Sequence, residues 1–392
     1  MNPLGNRPRD GRMTVAMIAD YPRDLQCIDG GVQAVTAYLV SELAKSKEID
    51  LHVVTFDAQA ESPAHIRDEG FERYVLPPQR LGAVTRWTLD YMALQKCLSH
   101  IDPVVVHAQG AGVDGFLAAR STYPSIVTIH GMIGEDAKYM SGVLARARLT
   151  LQGMTTEKYC ARHATRTILI SPYVRDYYGP LLRGTSHFIP NPVNRKFYDV
   201  QRREVPGRIL FAGRLIPRKG VTDLLEAFAG IRSRVDARLV LAGSLSDQGY
   251  VRRLVEQARA LNVESAVEFR GLLTEPELLD EFSRASVLVL PSHQETAPMV
   301  IQQAMAAGLA VIATRICGVP YQIQHDVTGL LYDPGVVEDL ATLIVRIVTD
   351  GTLARRLGEA ARAAAIDRYH AAKVADATLA AYESILRGHA AA

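Results

Sequence analysis

"VVVHAQGAGVDGFLAAR", residues 104–120, runs from a β-branched strand through Gly110-x-Gly112-x-x-Gly115 into the start of a helix. Strand, glycine turn and helix in that order are the layout of a dinucleotide-binding turn. The layout carries two further requirements. The glycine turn follows the first strand of its unit, and the next strand ends, about 20 residues on, in an acid that holds the ribose. Here VVVH is about the fourth strand of the chain, and the next one, SIVTIH (125–130), ends in His130. The segment after the first strand, 21–31, lacks the glycine spacing. The three glycines therefore read as a tight strand-to-helix turn, and the stretch decides the fold class rather than the cofactor.

The same alternation extends in both directions. TVAMIA (14–19), LHVVTF (51–56), RYVL (73–76), TILIS (167–171) and HFIP (187–190) are short β-branched runs separated by amphipathic stretches. That is βαβ punctuation, and it predicts a parallel sheet with helices on both faces. The rhythm restarts with RILFAG (208–213), RLVLAG (238–243), AVEFRG (266–271), ASVLVLP (285–291) and LAVIAT (309–314). Between the halves lies a polar stretch with prolines near both ends, 191–208, which reads as a linker. The expected organisation is a tail at 1–12, a first Rossmann-like domain at 13–198, a second at 199–365, and a C-terminal helix at 366–392 packing back toward the first. The chain after Ala363 reads as helical to its end, with an apolar stripe at Leu379, Tyr382, Ile385 and Leu386.

A chain of 392 residues exceeds one ordinary core, which agrees with two domains and a cleft between them. With 44 Lys+Arg against 42 Asp+Glu, the formal charge is +2, so charge does not imply nucleic acid as a partner. Cys27, Cys97, Cys160 and Cys317 stand far apart without a C-x-x-C pair and read as buried thiols of a cytoplasmic protein. Residues 1–12 lead into no apolar signal region, and no stretch reaches the roughly 18 apolar residues of a spanning helix.

Chemistry concentrates in the second half. FAGRLIPRKG (211–220) places Gly213, Arg214, Lys219 and Gly220 on a loop that leaves a strand and opens a helix. Two cations and outward backbone N–H groups there suit a diphosphate; the plain alternative is a pair of solvated surface charges. PSHQETAPMVIQQAMAAG (291–308) brings Glu295 and Thr296 on the loop after another strand, then Pro298 at the start of a helix whose Val300, Ile301, Ala304 and Met305 face the core. Glu295 and Gln303 lie eight residues apart, about 12 Å at helical rise. A nucleotide-sugar can be held at its sugar and ribose ends by such a pair, with the diphosphate near the helix N-terminus. The competing reading is a buried helix with polar flanks facing a loop.

On these residues the chain resembles the family 4 retaining glycosyltransferases of GT-B fold. GRLIPRKG is similar to the family's G-R-x4-K-G loop and ETAPMVIQQAMAAG to its E-x7-E segment. Gly30-Gly31, His130-Gly131, Asn191-Pro192-Val193 and Thr328-Gly329-Leu330-Leu331 sit where that family has comparable residues. The resemblance implies two facing Rossmann-like domains with an interdomain cleft whose closure excludes water. It also implies that Arg214 and Lys219 hold and stabilise the departing diphosphate while Glu295 and His130 bind the transferred sugar. Gly213, Gly271, Leu272, Thr296, Ala297, Pro298, Met299 and Gln303 form the implied donor-binding set, and Gly30, Gly31 and Gln109 the implied acceptor or phosphate loop. Three departures bear on the donor. Gln303 replaces the second glutamate, Thr296-Ala297-Pro298 replaces a glycine-rich loop, and Cys317-Gly318-Val319-Pro320-Tyr321 stands where Gly-Gly-x-Pro-Glu is common.

No Asp-x-Asp occurs and no His/Glu spacing suggests a metal site, so the expected chemistry uses no metal and no cofactor, with a UDP- or GDP-linked sugar as co-substrate. Scattered histidines such as His163 read as ordinary surface or packed residues. From Lys138 to Arg166 six basic residues (Lys138, Arg146, Arg148, Lys158, Arg162, Arg166) face one acid, Glu157. Lys158, Arg162 and Arg166 stack on one helical stripe. Anionic lipid would be drawn there, or the stretch is the solvated face of a helix whose Leu149, Leu151 and Met154 point to the core. The expected function is transfer of a hexose-type sugar to a cell-envelope glycan, glycolipid or other acceptor in polysaccharide biosynthesis. The chain is then cytoplasmic, with peripheral membrane contact as a further expectation. A sugar-nucleotide epimerase of the same fold and a catalytically degenerate nucleotide-sugar-binding protein are the alternatives.

Overall fold

The structure is a computed structural model that describes residues 11–26, 28–78, 83–140 and 142–390, the side chains of 83–86 and 388–390 excepted. Most of the expected tail, and Cys27, lie outside the described residues. The chain divides into two compact units, one made of 1–23, 32–190 and 372–392 and the other of 24–31 and 191–371.

In the first unit the described strands are β1 (Met13–Ile18), β2 (Ile49–Phe56), β3 (Ala64–Asp68), β4 (Phe71–Leu76), β5 (Val105–Gln109), β6 (Ser125–Ile129), β7 (Arg166–Leu169) and β8 (Thr185–Phe188). They form one sheet in the order β3-β4-β2-β1-β5-β6-β7-β8, parallel at every pair but β3–β4. VVVH thus belongs to the fifth strand, not the fourth. Every residue of β1, β5 and β6 is buried, because helices cover both faces of a parallel sheet and leave its central strands no wet side. Gly110 takes φ 131°, and a Cβ on Gly115 would lie 2.3 Å from the Gly110 carbonyl oxygen. The glycines of the opening stretch are there to let the helix Val113–Arg120 leave its strand closely.

The C-terminal helix Ala371–Ala390 places Val374, Ala375, Ala381, Tyr382 and Ile385 in the same apolar core as Val15, Met17 and Leu51. Leu386, expected on that stripe, is exposed. The helical tail is not continuous. The helix Gly351–Arg368 ends at Tyr369, whose carbonyl accepts the Val193 N–H at 2.8 Å.

In the second unit β9 (Arg208–Ala212), β10 (Arg238–Ala242), β11 (Val267–Gly271), β12 (Val287–Leu290), β13 (Ala310–Thr314) and β14 (Leu330–Tyr332) make an all-parallel sheet in the order β11-β10-β9-β12-β13-β14. The order reverses between β9 and β12, and in open α/β sheets ligands bind at the carboxyl ends of the strands beside such a point. The stretch 191–208 is not a linker. It belongs to this unit, buries Phe197 and Tyr198 on the helix Arg195–Tyr198, and ends in Arg208, whose guanidinium holds the buried Glu281 at 2.9 Å. Its polar composition reflects charges that are paired inside the unit. Gly30 and Gly31 also belong here rather than to the first unit.

Candidate functional site

Two loops, 213–220 after β9 and 291–298 after β12, leave adjacent strands and are joined residue by residue. The Arg218 carbonyl accepts the His293 N–H at 2.8 Å, and the Arg218 guanidinium donates to the Gln294 carbonyl at 3.0 Å. Lys219 donates to the Glu295 carboxylate. Gly220, at φ 64°, leaves so little room that a Cβ would lie 2.0 Å from the Pro291 carbonyl oxygen. A left-handed, contact-close position of this kind admits only glycine without strain. It also starts the helix Val221–Ile231, which fixes where Lys219 can point.

The Lys219–Glu295 pair is nearly enclosed, with side chains 12% and 7% exposed. Burial lowers the Lys219 ammonium from its ordinary value; Glu295 opposes that shift, while Arg218 and Arg214 add to it by repulsion. Burial alone would raise Glu295, but the positive charges of Lys219 and Arg218, with hydrogen bonds from Lys219 and Ser292, hold it below the usual carboxylate range. Ser292 Oγ donates to the same carboxylate at 2.8 Å, and the Glu295 carbonyl accepts the Gly318 N–H at 3.0 Å. Arg214 is exposed, close enough to Lys219 for its charge to be felt. Lys219 and Arg218 thus face the Glu295 carboxylate and Arg214 adds its charge at Lys219, a local excess of positive charge suited to an anion.

The rest of the implied donor set lies on the same strand ends or on the helix that follows. Gly213 and Gly271 close β9 and β11, and Gly243 between them donates its N–H to the Gly271 carbonyl at 2.8 Å. Leu272 is 40% exposed. Thr296, Ala297, Met299 and Gln303 are all buried. Asn191 Nδ2 donates to the Ala297 carbonyl at 3.2 Å and so pins the turn before Pro298. The helix Met299–Ala306 buries Ile301, Ala304 and Met305 as expected, whereas Val300 is only half-buried. A Cβ on Gly31 would meet Met299 Cγ at 3.4 Å. Cys317 adopts φ 47° where the family commonly has glycine, and its thiol donates to Gln294 Oε1 at 2.8 Å.

In the first unit His130 follows β6, and its Nε2 meets Gln109 Oε1 at 2.7 Å. Glu157, read from sequence as one acid in a basic stretch, is buried on a π-turn at Gly153–Glu157. It accepts the Ile133 and Gly134 N–H groups at the start of the short helix Ile133–Asp136 at 2.5 and 3.3 Å. Burial raises its carboxyl, with those hydrogen bonds opposing. Arg166 opens β7 and so is not on a helical stripe with Lys158 and Arg162. Leu151 and Met154 point outward, 63% and 56% exposed, and not to the core. Of the described cysteines only Cys160 is fully buried; Cys97 and Cys317 are half-buried. His163 is exposed and stacks on Tyr159. Among the described residues no group of three or more His, Cys, Asp or Glu could hold a metal ion, and no helix is long and apolar enough to cross a membrane. Arg218 and Ser292 were not singled out from the sequence, and Glu157 was read there only as one acid among cations. Arg218 left a trace as the third cation of a loop already noted for two.

Solved structures give the class. Sucrose-phosphate synthase from Thermosynechococcus elongatus matches with a TM-score of 0.83 over 96% of this chain and 100% of that one, at 21% identity. The Anabaena protein HepE, solved in complex with UDP-glucose, matches with a TM-score of 0.74 over 95% and 100%, at 17% identity. The fold is GT-B, two Rossmann-like units in one chain.

Sequence comparison gives the family. Residues 194–364 match the family model "Glycosyl transferases group 1" and residues 29–197 match "Glycosyltransferase Family 4". The glycogen synthase of Mycobacterium tuberculosis is 30% identical over 298 residues, covering 73% of this chain and 70% of that protein. The D-inositol 3-phosphate glycosyltransferase of Streptomyces bingchenggensis is 35% identical over 187 residues, 46% of this chain and 41% of that protein. The chain belongs to the group 1, family 4 glycosyltransferases and is a glycosyltransferase.

Proposed function

We propose that the protein is a metal-independent retaining glycosyltransferase that takes a hexose-type sugar from a UDP- or GDP-linked donor bound on the second unit. The observation that carries this reading is the stitched loop pair, which sets Arg218 and Lys219 against Glu295, with Arg214 felt at Lys219, beside the reversal in strand order. Arg214 and Lys219 meet the diphosphate and stabilise it as it leaves, the task for which preorganised charge is most effective. Lys219 carries three N–H groups, so it can keep Glu295 and still reach a phosphate oxygen. Glu295, held as a carboxylate, accepts hydroxyls of the transferred sugar, and His130 is the second residue assigned to that sugar. Gln303, as a neutral amide, takes the ribose with one donor and one acceptor. Attack comes from the face the diphosphate leaves, without a protein nucleophile, so the protein supplies orientation and electrostatics. Donor binding has support in the UDP-glucose complex of HepE.

A thermal-shift panel of UDP-, GDP- and ADP-sugars tests the donor: one present at a hundred times its dissociation constant stabilises by about 2.7 kcal/mol. Transfer with the anomeric configuration kept, read by proton NMR of the product, supports the mechanism. An isomerised free sugar nucleotide would favour an epimerase, and tight binding without transfer a degenerate binding protein.

The acceptor is a cell-envelope glycan or lipid-linked saccharide, reached through peripheral contact with an anionic membrane. The helix Val143–Gln152 has no buried residue, and Val143 and Leu144 are 84% and 87% exposed beside Arg146 and Arg148. Apolar side chains among cations suit an acidic lipid surface. Sedimentation with acidic vesicles at low salt should carry the protein down and spare Leu144→Glu; no sedimentation of the wild type removes this part.

A further inference from the structure

Beneath His130 a chain of side chains runs through the first unit from Gln109, expected above at the acceptor or phosphate loop, to His107, Thr128 and Tyr382. Gln109 Oε1 meets His130 Nε2 at 2.7 Å, and Gln109 Nε2 approaches His107 Nε2 at 3.4 Å. The same His107 nitrogen meets Thr128 Oγ1 at 2.7 Å, and His107 Nδ1 meets the hydroxyl of Tyr382 on the C-terminal helix at 2.7 Å. His107 is fully enclosed. We propose that Gln109, anchored by His107 and Tyr382, is a positioning residue that fixes His130 as the Nε2–H tautomer, so that its Nδ1 lone pair accepts a hydroxyl of the transferred sugar. The sugar contact rests on the function proposed above; the tautomer does not.

Hydrogen-bonding capacity carries the inference. An amide oxygen only accepts, so a 2.7 Å contact with His130 Nε2 places the ring's hydrogen on that nitrogen. With its oxygen so placed, the Gln109 amide turns its NH2 toward His107 Nε2, which must then offer a lone pair. Burial, with a smaller contribution from His130, lowers His107 to about 3, so its ring is neutral. The single hydrogen of that ring therefore sits on Nδ1, toward Tyr382, and Thr128 donates to Nε2. Each contact in the chain is satisfied by one assignment, and that assignment ends on His130. The C-terminal helix thereby reaches the site through Tyr382, 275 residues from His107 in sequence.

Long-range proton–nitrogen NMR correlations of histidine-labelled protein read both rings directly. The wild type should show His130 as Nε2–H and His107 as Nδ1–H. Gln109→Leu should give an averaged His130 tautomer and lower kcat at least tenfold with donor KM within about twofold, and Gln109→Glu, which keeps an acceptor, should restore the tautomer and most of the rate. An Nδ1–H or averaged His130 in the wild type overturns the proposal without any variant. So does a Gln109→Leu protein with unchanged kcat while His130→Ala is inactive. If His130→Ala transfers at a near-normal rate, the sugar contact fails and the wild-type spectrum still decides the tautomer.

Discussion

Replacing Lys219 by methionine leaves Glu295 buried beside an apolar chain of similar length. The two side chains are 12% and 7% exposed, so solvent does little to screen the loss. Removing one partner of a buried pair costs about 3–5 kcal/mol. Arg218 and the Ser292 hydroxyl still favour the carboxylate, which places the expected loss at about 3 kcal/mol, or about 6–12 °C in Tm for a unit of this size. The pH dependence has a definite sign. In the wild type the Glu295 carboxyl lies below its ordinary value, so its contribution is present above that value and is lost as pH falls through the lowered one. In the variant, burial raises the same carboxyl, so stability is present below the ordinary value and is lost as pH rises through the raised one. The deficit should therefore be larger at pH 8 than at pH 5, and Lys219→Met/Glu295→Gln should recover part of it. Calorimetric or fluorescence melting at the two pH values reads this. A deficit below about 1 kcal/mol, the scale of an exposed pair, or one equal at both pH values, refutes the buried-pair account.

Arg214→Ala should leave Tm nearly unchanged, since the side chain is exposed, while slowing transfer by about 2–4 kcal/mol of lost charge stabilisation; steady-state turnover at a near-normal rate removes Arg214 from the diphosphate. His107, lowered by burial from 6.5 to about 3, contributes stability above the ordinary value that is lost as pH falls. The protein should be about 2 kcal/mol less stable at pH 5 than at pH 7 from this group. Denaturant melts of the wild type and His107→Gln check it, and the same slope in both contradicts it. Gly220→Ala pays a left-handed φ of about 1–3 kcal/mol and also drives a Cβ into the Pro291 carbonyl, so it should lose both Tm and donor affinity; an unchanged melting curve would show that the two loops are not stitched there.

What the sequence made legible follows its periodicities. VLVL and RILFA announce β12 and β9 because both faces of their sheet are covered, so every side chain is apolar or paired. The loops after them carried Arg214, Lys219 and Glu295 in recognisable spacing. β3, AHIRD, escaped because it is an exposed edge strand with charged residues and no apolar alternation. The short β14 escaped as part of a late turn motif. The supposed linker failed for a related reason, since Arg208 pairs with a glutamate 73 positions away and composition cannot show a partner. Glu157 was misjudged because a π-turn changes the face a helical residue presents, which regular helical spacing does not foresee. His107 and Tyr382 are isolated polar residues in apolar runs until the fold brings them together.

The central claim is that the cations of the 213–220 loop hold a diphosphate, and titration calorimetry reads it by comparing UDP and GDP with UMP and GMP. The account predicts that one diphosphate binds at least tenfold more tightly than its monophosphate, and that this advantage shrinks in both Arg214→Ala and Lys219→Met. Equal affinity for monophosphate and diphosphate, or an advantage that survives both substitutions, would contradict it.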